Sequence, residues 1–280
     1  GYNLARGFRK VSKSGKATRI SRNEITDDAF YHIEQDRSSL LYSRYEEHPY
    51  TRAVKTSHSY SLDISTGTEH RLSGSDHTYN PVRLDDGTVL ALQSVGQFNR
   101  IVEIGASTIG DGKLAYARSN FVSLAPRPGS DSLAVIVNVE GHQAVFLVDS
   151  SADTWRMSPW IGFPNSTIYD GSWSASGRYF SFTSDRTGIL NVYVLDAHTE
   201  QISQITNVLY TAMEGQVSPR GDQIVYIEYE DQRFDLKVAP FPGPFHVSVN
   251  RDEANYTWTT GWEEKIDRSS EESLVSQDPA

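Results

Sequence analysis

Few residues of this sequence are placed to do chemistry. A Gly-x-Ser-x-Gly elbow would present a serine nucleophile between a strand and a helix. The nearest text, Gly171-Ser172-Trp173-Ser174, misses that spacing. Glu46, Glu47 and His48, with His58 further on, are the densest group of metal-binding side chains, but the His-x-x-x-His spacing is missing. Two readings stand for them, a ligand site and a solvated loop. Ser184-Asp185-Arg186-Thr187-Gly188 has the residues of a sialidase-type Asp box in the wrong order, and Asp185 and Gly188 read more simply as hairpin formers. Trp155, Trp160 and Trp173 could form a carbohydrate platform, although Trp173 falls on a repeat position that belongs in a core. No metal or cofactor is expected, and the chain alone is expected to lack hydrolytic activity.

Composition narrows the classes further. The chain has 280 residues, a net charge of -10 and a sequence pI near 5.3, which argues against phosphate-backbone recognition and hence against nucleic acid as a partner. The one basic stretch lies between Arg6 and Arg22 and reads either as edge strands guarded by Lys and Arg or as a contact for an anionic surface. Cysteine is absent, so disulfides and thiolate zinc sites are excluded. No run of 18 apolar residues is present, so this segment is expected not to span a membrane. The sequence opens Gly1-Tyr2-Asn3 without a signal-peptide core, and is expected to be a processed or excised piece of something longer.

What must position these side chains is a repeat. "GSWSASGRYFSFTSDRTGILNVYVLDAHTEQISQIT", residues 171 to 206, alternates short strand-like runs with polar turn clusters. Residues 215 to 241 lie over it at an offset of 44, with Trp173 on Val217, Gly177 on Gly221, Phe180 on Ile224, Val192 on Leu236 and Val194 on Val238. Weaker copies place turn glycines at Gly87 and Gly129, so the series Gly87, Gly129, Gly177, Gly221 advances by 42, 48 and 44 residues. Four strands in each such period predict an all-β fold, a β-propeller of four-stranded antiparallel blades. The expected divisions are a partial blade over 1–21, blades over 22–73, 74–118, 119–163, 164–207 and 208–250, and a polar acidic tail over 251–280. Within that tail Tyr256 to Trp262 could add a ring-closing strand. The partial blade is expected to be completed by a C-terminal strand or by residues outside the chain, giving six blades.

"WSASGRYFSFTSDRTGILNVYVLDAHTEQISQIT" and "VSPRGDQIVYIEYED" resemble the repeat of TolB-type propellers, which runs Trp-Ser-Pro-Asp-Gly, a strand, Ser-Asp-Arg-x-Gly, then an apolar-Tyr-apolar strand ending in Asp. The resemblance is strongest over 171–241, extends over 36–149 and ends near 250. It implies a periplasmic or cell-envelope module that binds proteins through its axial face. Similar propellers gate prolyl-oligopeptidase-like peptidases, so the alternatives are a substrate-gating propeller of a larger peptidase and a glycan-binding or glycan-processing propeller. Protein partners or adjoining domains of the same chain are therefore the expected ligands. The loops from second to third strand and from one blade to the next are the longer set, and function favours elaborated loops on a rigid scaffold. They place the expected binding surface at Glu46, Glu47, His48, His77, Trp160, Phe163, Tyr169, Arg186 and Tyr210.

Overall fold

A computed structural model describes residues 8–12, 14–21, 31–34, 36, 38–47, 55–73, 77–105, 109–114, 119–139, 141–151, 155–243 and 247–249. The protein is an all-β propeller of four-stranded antiparallel blades, and its chain divides into two compact units, Gly1–Ala115 with Glu272–Ala280, and Tyr116–Glu271. Among the described residues no helix is long and apolar enough to cross a membrane.

The first unit opens with a two-stranded hairpin, β1 (Arg9–Val11) and β2 (Ala17–Arg19). Blade one follows as β3 (Tyr31–Ile33), β4 (Ser39–Glu47), β5 (Lys55–Asp63) and β6 (Glu69–Arg71); blade two is β7 (Thr78–Arg83), β8 (Val89–Val95), β9 (Phe98–Ile104) and β10 (Ile109–Leu114). The second unit holds blade three, β11 (Ser119–Pro126), β12 (Ser132–Val139), β13 (His142–Asp149) and β14 (Arg156–Ile161). Blade four is β15 (Ile168–Trp173), β16 (Tyr179–Ser184), β17 (Asn191–Asp196) and β18 (Gln201–Gln204); blade five is β19 (Thr211–Val217), β20 (Gln223–Glu230) and β21 (Arg233–Pro240). The last described strand, β22 (Val247–Val249), turns back and pairs with β18 as a fifth strand of blade four.

Apolar runs on both faces of the inner strands explain this layering. On β12, Leu133, Ala134, Val135, Ile136 and Val137 are all buried, which only a sheet sandwiched on both sides allows.

In the second unit the core between blades is aromatic. Trp160 of β14 stacks on Trp173 of β15 at 5.5 Å, Phe180 lies 5.2 Å from Trp160, and Phe182 stacks on Tyr193 at 5.5 Å. Between blades four and five the joint is aliphatic, built on Val192, Val194, Val217 and Ile224. Gly215 lets the two blades close, because a Cβ there would sit 2.2 Å from Val192 Cγ1.

The first strands of blades two to five share one irregularity. Register shifts fall between Tyr79 and Val82, Phe121 and Ser123, Ile168 and Gly171, and Met213 and Gln216. Each bulge holds the residue seven positions before the turn glycine, namely Asn80, Val122, Asp170 and Glu214. Bulges of this kind re-aim a side chain and tighten the local twist. Asn80 and Glu214 accordingly take positive φ, 50° and 55°.

The turn after β15 shows why glycine is needed there. Gly177 has φ of +66°, and a Cβ would meet the Pro128 carbonyl oxygen at 2.5 Å. Its own carbonyl accepts from Arg127 Nε at 2.8 Å, joining the turns of blades three and four. Gly177→Ala is therefore expected to cost about 1–2 kcal/mol, from the left-handed backbone together with the displaced contact. Urea unfolding of the two proteins measures it, and an unchanged midpoint would show that the turn relaxes freely.

Candidate functional site

In the first unit, β4 and β5 are nine residues each and extend the hairpin to Glu47 paired with Lys55. Alternation along these strands puts Arg44, Glu46, His58 and Tyr60 on one face. Glu46 is the hub. It accepts from Arg44 Nη2 at 2.6 Å, from Arg71 Nη1 at 3.3 Å and from the Tyr60 hydroxyl. Arg44 also donates to Glu69 at 2.9 Å and lies 4.0 Å over the Tyr60 ring. Burial alone would raise the Glu46 carboxyl, but the hydrogen bonds from Tyr60 and Arg44 and the nearby positive charges outweigh it and hold it below its ordinary value.

His58 is buried, with Nδ1 2.7 Å from Arg71 Nη2 and Nε2 2.9 Å from Thr56 Oγ1. A guanidinium only donates, so Nδ1 accepts and Nε2 carries the proton. Two arginines donate to the Glu46 carboxylate, and among the described residues no three His, Asp or Glu side chains converge as a metal site. Glu46 therefore sits inside a blade-internal network, while Glu47 is exposed at the hairpin end. His77 is exposed at a positive φ of 64°, and its carbonyl accepts from the Ser94 amide at 3.1 Å. His48 lies outside the described residues.

In the second unit the expected surface residues separate into two groups. Trp160 and Phe163 are core, only 6% and 2% exposed, which corrects their placement on a binding surface. The reason is that β14 runs to Ile161, so Trp160 lies on a strand and packs against the first strand of the next blade. Trp155 and Trp173 are buried as well, which leaves no tryptophan platform for a sugar ring among the described residues.

Tyr169, Arg186 and Tyr210 belong to the loop end of blades four and five. The β16–β17 hairpin is shaped by Asp185, whose carbonyl accepts from the Gly188 amide at 2.7 Å and whose Oδ1 accepts from the Thr167 amide at 2.7 Å. Tyr169 donates its hydroxyl to Asp185 Oδ2 at 3.3 Å, and burial together with the Asp185 charge pushes that phenol up. Arg186 lies 4.8 Å over the Phe163 ring, a cation–π contact that fixes the guanidinium at the loop end.

Blade five is tied to this hairpin by the Ala212 amide donating to the Leu190 carbonyl at 2.9 Å. Beside that tie Leu209 is 84% and Tyr210 62% exposed. Tyr210 meets Tyr229 edge-on at 6.5 Å, and Tyr229 meets Phe234 at 4.9 Å. Leu209, Tyr229 and Phe234 were not among the expected site residues. Tyr229 and Phe234 occupy strand positions that look like ordinary core sequence, and Leu209 sits in a short link, so only the structure sets the group apart.

No protein-family model and no curated protein matches the chain. Solved structures do. TolB from Acinetobacter baumannii aligns with a TM-score of 0.64 and 16% identity, over 86% of this chain and 58% of that one, so the chain spans little more than half of that TolB. A TolB-like protein from Agrobacterium tumefaciens aligns at 0.61 and 13%, over 83% of each chain. A puromycin-hydrolyzing peptidase from Mycobacterium tuberculosis aligns at 0.57 and 11%, over 90% of this chain and 43% of that one. The class defined by blades, bulges and turns is the β-propeller. Its particular form is the TolB-like propeller fold, shared at an identity that speaks to fold alone.

Proposed function

We propose that the chain is a non-catalytic protein-binding module of the bacterial cell envelope, and that it engages its partner through the loop end of blades four and five. One observation carries the reading. Leu209 and Tyr210 are exposed apolar side chains on the link into blade five, which the Ala212 amide ties to Leu190, just after the β16–β17 turn that carries Arg186. Aromatic and arginine side chains on a rigid frame are the usual anchors of a protein interface, and pre-organisation lowers the entropy cost of binding. The envelope location rests on the resemblance of the repeat and on the shared fold with TolB structures.

The experiment is affinity capture of envelope proteins by the purified chain, with three single variants confirmed as folded. Tyr210→Ala and Arg186→Ala are expected to weaken capture at least about tenfold, as truncation of an interface anchor does. Arg220→Ala is the control, because Arg220 sits on the β19–β20 turn at the opposite end with its side chain 82% exposed. Loss of capture in the control alone would mean that the partner uses the other end. A second reading, a propeller that gates a larger peptidase, is supported by the likeness to the puromycin-hydrolyzing enzyme. A hydrolase domain encoded beside this segment would favour it.

A further inference from the structure

Residues 247–249 have two places to go. By the offset of 44 that relates blade four to blade five, they match Ser203, Gln204 and Ile205 at the end of a fourth strand. Their place in the repeat is therefore the outer edge of β21. In the structure they form β22 on the outer edge of β18 instead, with Val249 opposite Ile202, Ser248 opposite Ser203 and Val247 opposite Gln204. Blade four thus gains a fifth strand, and blade five has three among the described residues.

The two edges offer the same residues much the same pairing. In blade four Tyr193 faces Gln204, Val194 faces Ser203, and the Ile205 amide donates to the Val192 carbonyl at 2.8 Å. Carried forward by 44, these contacts put Ser248 opposite Lys237, Val247 opposite Val238 and Val249 opposite Leu236. On β18, Val249 packs against the core that holds Ile202, while Val247 stays 47% exposed. On β21 both valines would meet apolar partners, Val238 and Leu236, that are 63% and 65% exposed. Apolar pairs of this kind are what stabilise neighbouring strands.

The turn explains why the repeat position is not secured. In blade four the Glu200 amide closes the β17–β18 turn on the Asp196 carbonyl at 2.7 Å. The residue 44 further on is Pro244, which has no N–H to donate. The link is nonetheless long enough, because Val238 to Val247 spans as many residues as Val194 to Ser203. Nor is β22 held firmly where it lies. Three residue pairs join it to β18, whereas eight join β20 to β21, so it can leave without opening the blade beneath it.

We propose that β22 is an exchange strand, which moves between the outer edge of β18, where it lies here, and the outer edge of β21, its place in the repeat. The movement is a switch between two discrete pairings of one segment. Its consequence is that the open strand edge alternates between blades four and five, and an open edge is where an extended segment of another protein can add.

The absence of cysteine makes the test clean. Ser248→Cys is combined, in the full chain, with Ser203→Cys or with Lys237→Cys, since directly opposite residues of antiparallel strands lie within disulfide range. Under mild oxidation both double variants are expected to close an intramolecular disulfide. Lys237→Cys with Val249→Cys is the register control, because a slip of one residue turns the side chain to the other face, and it is expected to close at least about tenfold more slowly than Lys237→Cys with Ser248→Cys. Closure of the Ser203 pair alone would fix β22 on blade four, and closure of the Lys237 pair alone would fix it on blade five. Closure of the control at the rate of the matched pair would show unspecific collision, and disulfide-linked dimers would show that the second edge takes the strand of another copy. Each of these four results overturns the proposal.

Discussion

Trp160→Ala is expected to lower the unfolding free energy by about 3–5 kcal/mol, the range for emptying a buried aromatic site. The indole is 6% exposed and touches both Trp173 and Phe180, so its removal leaves a cavity between blades three and four that neither sheet can fill by moving alone. Trp173 also loses a stacking partner, although its Nε1 still donates to the Ala125 carbonyl at 3.2 Å. Tyr210→Ala makes the contrast. That ring is 62% exposed, and its loss is expected to change stability by no more than about 0.5 kcal/mol. Urea unfolding followed by tryptophan fluorescence reads both variants. A Trp160→Ala protein as stable as the parent would return Trp160 to the surface, and any effect of that variant on partner capture could then be attributed to binding.

The repeat was legible because the physics of one blade is written within one blade. Turn glycines need positive φ, and second strands covered on both faces need apolar residues throughout, so Gly177, Gly221, Phe180 and Ile224 announce themselves. What passes between blades was not legible. Trp160 begins a segment that reads as a link, and only the stacking on Trp173 makes it core. Glu46 read as part of an open insertion, but β4 and β5 continue past it and bring Arg71 from the neighbouring strand onto its carboxylate. The spacing of Arg44 and Glu46 on one strand face was the available signal. Leu236 gave the opposite case, a residue whose repeat position promises burial and whose blade stands uncovered in the described residues.

Asp170→Ala is expected to cost about 1–3 kcal/mol, because the Thr183 hydroxyl loses its acceptor and the Glu214 amide keeps only Thr183 Oγ1, at 3.1 Å. Asp170 Oδ2 accepts from Thr183 Oγ1 at 2.7 Å and from the Glu214 amide at 3.0 Å, and so joins the bulges of blades four and five. The Glu214 backbone is held at a φ of 55°, a conformation that L-residues adopt at a cost and that this acceptor helps to fix. Asp170→Asn keeps an acceptor oxygen and is expected to be close to neutral at about pH 7, so the two variants separate the hydrogen bonds from the charge.

The pH dependence separates them again. Burial raises the Asp170 carboxyl above its ordinary 3.8, against the pull of its hydrogen bonds from Thr183 and the Glu214 amide. Glu214 is raised too, by burial and by the Asp170 charge, so the pair titrates together. A folded state that holds its proton more tightly than the unfolded chain loses stability as the pH rises from about 3.8 through the raised value, and is level above it. In Asp170→Asn that decline is expected to shrink, since the Asp170 charge is gone and Glu214 no longer feels it. Unfolding midpoints at a series of pH values for parent and Asp170→Asn measure the difference, and parallel profiles for the two proteins would show that Asp170 is already ionised at the acid end of the range.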